Sequence, residues 1–307
     1  MKLSREEKEI FCEVAGAFEI PEGAYNFRVN GKSVGRKSTE NINVVPKTGG
    51  KGLDIYIKKG TRNEQVHIPV AISVAGLKEV VYNDFHIEED VDATIIAGCG
   101  IYNCGSVDSV HDGVHKFYVG RNSKIKYIER HYGFGPGHGG KILNPVTEVY
   151  LEPGATAELE LEQIRGVDST VRKTIVVAKE NSMVVVKERL LTHGRQTAES
   201  IYNIELEGKK SAADIASRSV AQDLSSQVFR ATITGGNQCR GHLSCDAILM
   251  DDATVHAIPA LDAKTKDAEL IHEAAIGKIA GEQLLKLMTL GLSQKEAESE
   301  IINGFLK

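Results

Sequence analysis

Short β-type runs restart behind a turn residue at nearly constant distance along most of this chain, and that recurrence limits its possible folds more than any other feature. Between residues 43 and 274, runs such as 125–128 and 183–186 are broken by Gly, Asn, Asp and Ser, and no long helical pattern intervenes. A four-residue unit recurs there: a turn residue, a small residue, one variable position, then an apolar one. Copies begin at Asp92, Asn122, Gly154, Asn181 and Asp252, with a poorer one at Lys210. Marked by the small residue (93, 123, 155, 182, 211, 253), the intervals are 30, 32, 27, 29 and 42. Stacked solenoid units, each burying its apolar face only against its neighbours, have spacings of this size. An antiparallel β-sandwich with similar turns explains the periodicity about equally well.

The ends differ from the middle. Ser4 and Glu7 make a capping box ahead of Ile10, Phe11, Val14 and Ala15 at helical spacing, which predicts a short N-terminal helix. After Lys278, Leu284, Leu285, Leu287 and Met288 follow a helical pattern that stops at Gly291. Ser293 and Glu296 form a second capping box leading Ala297, Ile301, Ile302 and Phe305. The expected organisation is therefore a helical or irregular segment over 1–41, a β core over 42–278 and a helical tail over 279–307. The tail is expected to close one end of the solenoid.

With 307 residues, 41% of them hydrophobic, the chain can bury a core without disulfides. Its apolar stretches are too short to span a membrane; that over 174–186 is interrupted by Lys179, Glu180 and Asn181. The first residues lack the apolar core of a signal peptide, so a cytoplasmic protein is expected. Five cysteines, an odd number, argue for reduced thiols able to bind metal. A net charge of -5 and no basic run interleaved with aromatics exclude nucleic acid as the main partner.

Cys245, His272 and Glu273 offer a thiolate, an imidazole and a carboxylate, which suits iron or an incompletely sulfur-ligated cluster. The plain alternative for Cys245 is a buried small apolar residue. If 270–274 is a strand, His272 and Glu273 point to opposite faces unless a bulge intervenes. A second constellation joins Cys99 and Cys104 to His111 and His115, the two histidines sharing a face in either a strand or a helix. Cys239 and His242 are a third, weaker pair. Residues 135–142 nearly spell a phosphate-binding loop, but Ile142 lacks the hydroxyl for magnesium and Asn144 and Pro145 interrupt the helix that should follow. They read as a mobile loop, so no nucleotide is expected on this chain.

The runs Ser244 to Leu249, His256 to Pro259, Leu270 to Ala274, Gly281 to Leu284 and Ile301 to Phe305 follow one another in an order and spacing that resemble the SufB/SufD scaffold subunits of the SUF iron-sulfur assembly machinery. The resemblance covers about 92–305. It implies a parallel β-helix core, favouring the solenoid over the sandwich, and a scaffold that holds a transient iron-sulfur cluster and is not itself an enzyme. In that pattern the Cys matching Cys245 and the Glu matching Glu273 are cluster-associated, and the His matching His272 is the SufD contribution across the subunit interface. Implied partners are a SufC-like ABC-type ATPase docking on the tail (Leu284, Leu287, Met288, Ile301, Phe305), a second copy or a SufB/SufD paralogue, a sulfur donor and acceptor apoproteins. Some complexes of the family also imply a flavin reductant. One departure matters: Leu151 stands where SufB carries the thiol thought to receive sulfur, leaving Cys99 or Cys104 as substitutes. The runner-up is a SufD-like structural subunit without its own cluster; a third reading is a metal-dependent β-helix enzyme built on the Cys99 to His115 region.

Overall fold

A computed structural model describes residues 3–16 and 22–307. Among them, twenty strands form two ten-stranded sheets that wind as a β-solenoid of about eight turns. One sheet runs β2 (Lys32–Lys37), β1 (Ala24–Val29), β5 (Arg62–Ile72), β7 (Asp92–Tyr102), β9 (Lys124–Phe134), β12 (Thr156–Arg165), β14 (Met183–Thr192), β16 (Ala212–Ala221), β18 (Cys239–Leu249), β20 (Ala268–Gly277). The other runs β19 (Thr254–Ala263), β17 (Ser226–Gly235), β15 (Thr197–Leu206), β13 (Ser169–Ala178), β10 (Lys141–Leu143), β8 (Ser109–Val119), β6 (Lys78–Ile87), β4 (Gly52–Ile57), β3 (Ile42–Pro46), with β11 (Val146–Leu151) between β8 and β13. From β5 onward, β10 and β11 apart, successive strands alternate between the sheets and pair in parallel with the strand one turn away. Alternate side chains therefore point into the solenoid, which gives β8 and β9 their strict alternation of burial.

The turns explain the repeat. Asn122, Asn181 and Lys210 adopt left-handed φ values of 55°, 54° and 58°, a region Asn reaches more readily than most residues. A small buried residue follows and is stacked by backbone hydrogen bonds from one turn to the next: Lys124 N–H to the Val91 carbonyl, Thr156 to Ser123, Met183 to Ala155, Ala212 to Ser182, Arg240 to Ser211. The first and last expected copies are thereby corrected. Val91, not Ala93, holds the first position of this column, and the copy at Asp252 lies in the other sheet, ahead of β19. Cys239, at the start of β18, fills the column where the sequence shows a gap of 42.

The N-terminal end is closed. The β1–β2 and β3–β4 pairs are antiparallel, so residues 24–37, expected to be helical or irregular, include a hairpin. Helix α1 (Arg5–Ala15) starts at the Ser4–Glu7 capping box and lays Ile10, Phe11 and Val14 on Phe27, Val29 and Ala71. Gly100 permits the contact, since a Cβ there would lie 2.4 Å from Ile10 Cγ2.

The other end is bare. Strands β19 and β20 are mostly exposed and carry Ile258, Leu261, Ile271 and Ile276 to the surface. The tail, α2 (Gly281–Thr289) and α3 (Gln294–Phe305), does not close this end as expected. Its last turn instead accepts hydrogen bonds from Arg189 on β14 and Arg218 on β16 at the carbonyls of Lys307 and Phe305. No helix among the described residues is long and apolar enough to cross a membrane.

Candidate functional site

The interior is not uniformly apolar. Behind the aliphatic core lies a file of buried polar side chains contributed by inward positions of successive strands. Arg172 on β13 donates to Glu129 on β9 and lies 3.3 Å from His131 Nδ1 and 3.8 Å from Glu188 Oε1. Glu188 on β14 accepts from Ser200 Oγ at 2.6 Å and Ser217 Oγ at 2.7 Å. Burial drives the Glu129 carboxyl up, but Arg172, His131 and His115 together outweigh it and hold the group at about 2. Burial lowers His131 and His115 to about 4 each, against the pull of Glu129. A charged pair thus sits in a buried interior, compensated by hydrogen bonds on each side.

This file ends at Cys245. Cys245 pairs with Ser217 on one side and Ala274 on the other, faces inward and is 2% exposed. Burial, then the charges of Glu188 and Asp246, pushes its thiol up to about 12, so the isolated chain holds a neutral thiol; a bound metal ion would remove that proton. His272 pairs with Leu243 and takes the same inner face, its Nε2 buried with no hydrogen-bond partner. Glu273 pairs with Ser244 on the outer face, exposed, with its carboxylate 3.9 Å from His242 Nε2. The expected trio is therefore divided within one chain. No bulge interrupts β20, so the alternation of the strand separates Glu273 from Cys245 and His272.

The second constellation is also divided. Cys104 is exposed in a loop, whereas Cys99 is buried, its thiol pushed well up by burial and by Glu79 and Glu129. His111 and His115 do share the inner face of β8. His111 Nδ1 is 3.1 Å from Glu79 Oε1, and Glu79 is also held by Arg28 at 3.0 Å. Cys239 and His242, three apart on a strand, face opposite ways; His242 Nδ1 meets Asp214 at 2.9 Å. Among the described residues, the only three ligand-type groups with atoms within 4.8 Å of one another are Asp54, Asp84 and His86. Lys47 already occupies that cluster, 2.6 Å from Asp54 and 2.8 Å from Asp84.

The glycine-rich segment before β10 is laid against residues 103–107, with Gly137 and Gly139 N–H donating to the carbonyls of Asn103 and Gly105. A Cβ on Gly137 would lie 2.3 Å from the Gly105 carbonyl oxygen, so the glycines serve close backbone packing, and the segment is not the free loop expected. On the tail, Leu284, Leu287, Ile301 and Phe305 are half-buried, and Met288 is exposed. Its outward apolar surface is Leu285, Met288 and Leu290, of which the expected docking set contained only Met288.

Residues 79–305 match the family described as SUF system FeS cluster assembly, SufBD core domain. The chain is 30% identical over 233 residues to a SufBD family iron-sulfur cluster assembly protein of Methanothermobacter thermautotrophicus strain Winter, covering 74% of this chain and 55% of that protein. It is 30% identical over 275 residues to a SufBD family protein of Archaeoglobus fulgidus, covering 82% and 68%. A SufBD family protein of Methanocaldococcus jannaschii is 26% identical over 256 residues, covering 82% and 79%. The chain spans little more than half the length of the Methanothermobacter relative.

Proposed function

The chain belongs to the SufBD family of iron-sulfur cluster assembly proteins, and on that premise we propose that it is a scaffold holding a nascent cluster at its bare end. The observation that carries this reading is that two soft or borderline donors, the Cys245 thiol and the unpartnered His272 Nε2, share one inner face on the neighbouring strands β18 and β20 at the bare end. The cluster is cargo. A thiolate with nitrogen and oxygen donors grips iron less firmly than four thiolates, which suits release to an acceptor apoprotein. Because Glu273 lies on the other face, a complete donor set requires a second subunit, either another copy or a paralogue, packed on β19 and β20. Their exposed isoleucines and Leu261 support such an interface.

The same reading has a SufC-like ATPase dock on Leu285, Met288 and Leu290 of the tail, so ATP hydrolysis belongs to that partner and not to this chain. A sulfur donor, a flavin reductant and a cytoplasmic setting belong to it too, the last supported by five free cysteines. Anaerobic reconstitution with iron and sulfide tests the proposal. Charge-transfer absorption and bound iron are expected in the wild type and lost in Cys245→Ala and Glu273→Ala; bands surviving both substitutions would reject the site.

A second reading, a SufD-like subunit with no cluster of its own, is favoured by Leu151. That residue is 1% exposed within the aliphatic core, so no sulfur-accepting thiol stands there. Failure of the wild type to take up a cluster, with normal binding to the ATPase, would select it.

A further inference from the structure

The two antiparallel pairs that close the N-terminal end leave a recess of about 290 Å³ between them. The β1–β2 hairpin forms one wall, and Pro46, Gly50 and Leu53 of the β3–β4 pair form the other. The floor is apolar, made by Ile68 and Val70 of β5 and Val81 of β6. Such a volume is at the lower end for small-molecule sites, enough for one ring with a charged substituent and too little for a dinucleotide.

The hairpin brings more positive charge than the nearby acids balance. Arg28 is matched by Glu79 at 3.0 Å. Arg36 pairs with Asn26 across the hairpin, and Asn26 lines the recess at 5% exposure, so the register puts Arg36 on the same face. Among the described residues, neither Arg36 nor Lys32, which lines the recess from the hairpin turn, makes an ion pair. Asp54 and Asp84 neighbour Leu53 and Asn83 along their strands, but both are held by Lys47, at 2.6 Å and 2.8 Å.

Buried amides give an independent sign. Asn83 on β6 is 6% exposed, lines the recess and makes no side-chain hydrogen bond among the described residues. Asn26 Oδ1 accepts from Ser33 Oγ at 2.7 Å, which leaves the NH2 group of that amide to be satisfied. Buried polar groups left unpaired mark a place where something polar belongs.

We propose that the recess binds one small phosphate monoester carried on a ring or a short chain. The planar guanidinium of Arg36 donates to two phosphate oxygens, and the Lys32 ammonium supplies the second charge that a dianion needs. The apolar floor covers the organic part, and the Asn83 amide donates to an oxygen of the ligand. A monocarboxylate would leave one of the two cations unmatched. The recess and the bare end lie at opposite ends of the solenoid, so this site does not rest on the cluster-scaffold reading.

The test is isothermal titration calorimetry of the full chain with phenyl phosphate near neutral pH, where the ester is mostly dianionic. Inorganic phosphate, phenol and benzoate are the comparison compounds. Phenyl phosphate should bind once per chain, at least ~10-fold more tightly than any of the three. Arg36→Gln and Asn83→Leu should each weaken it at least ~10-fold, whereas Lys37→Gln, which removes an exposed cation outside the lining, should bind as the wild type does. Arg36 is exposed, so its variant folds and decides the matter if circular dichroism shows Asn83→Leu to be unfolded. Four results would overturn the proposal: no binding to the wild type, equal affinity for a comparison compound, undiminished affinity in Arg36→Gln, or an equal loss in Lys37→Gln.

Discussion

Cys245 lies one inward position beyond the partner of His272: Leu243 pairs with His272, Cys245 with Ala274, and both functional side chains take the inner face of one sheet in adjacent turns at the bare end. Glu273, between His272 and Ala274 on β20, takes the outer one. If a symmetric pair of copies completes each site with Cys245 from one and Glu273 from the other, the two defects complement. Cys245→Ala and Glu273→Ala, each dead alone, should recover about a quarter of the wild-type cluster when mixed and re-associated, because half the dimers are mixed and each has one intact site. No recovery would place all donors on one chain or on a paralogue.

Arg172 stands between Glu129 and Glu188 at 4% side-chain exposure. Arg172→Met keeps the volume but leaves two buried carboxylates without their cation, and a loss of about 3–5 kcal/mol is expected from urea unfolding at pH 7. A change below about 1 kcal/mol would mean that water already reaches the pair.

The buried file makes stability depend on acid. His131 has a folded value near 4, below its unfolded one, so its contribution is complete above about pH 6.5 and is lost as pH falls through 4. Glu129, held near 2, has the same sign in a lower window, with stability present above its unfolded value and lost toward 2. Denaturant midpoints should therefore fall steadily from pH 7 to pH 4, and His131→Gln should flatten the upper part of that slope. A flat wild-type profile would contradict this burial.

Leu285 on α2 is 63% exposed. Leu285→Asp should leave the melting temperature within about 2 °C of wild type, as surface changes usually do, while weakening capture of the SufC-like ATPase at least ~10-fold. Unchanged capture would move the docking surface elsewhere.

The recurrence of turn residue and small residue was legible because Asn and Gly reach left-handed φ easily and most of the stacked corners take a small side chain, but it left solenoid and sandwich equally open until the resemblance favoured the solenoid. Both capping boxes were equally legible, being local hydrogen-bond patterns within four residues. Two phase errors in the repeat arose because a chain reads the two sheets as one series: Val91 is large for its corner, and Cys239 does not look like a turn neighbour. The polar file escaped notice for a different reason. Glu129, Arg172 and Glu188 occupy ordinary alternating positions, and their partnership is created by stacking residues as far as 43 apart.

By itself, the sequence determined a repetitive β core, the helical ends and the residue types fit for iron, since periodicity, capping and side-chain chemistry are local properties; the resemblance to SufB/SufD was what favoured a solenoid over a sandwich. Only the tertiary structure decided that Glu273 faces away from Cys245, that the tail leaves the last turn bare, and that Arg36 and Asn83 line one recess. Those outcomes depend on strand parity, on where Arg189 and Arg218 draw the chain end, and on which side chains the opposing sheet presents.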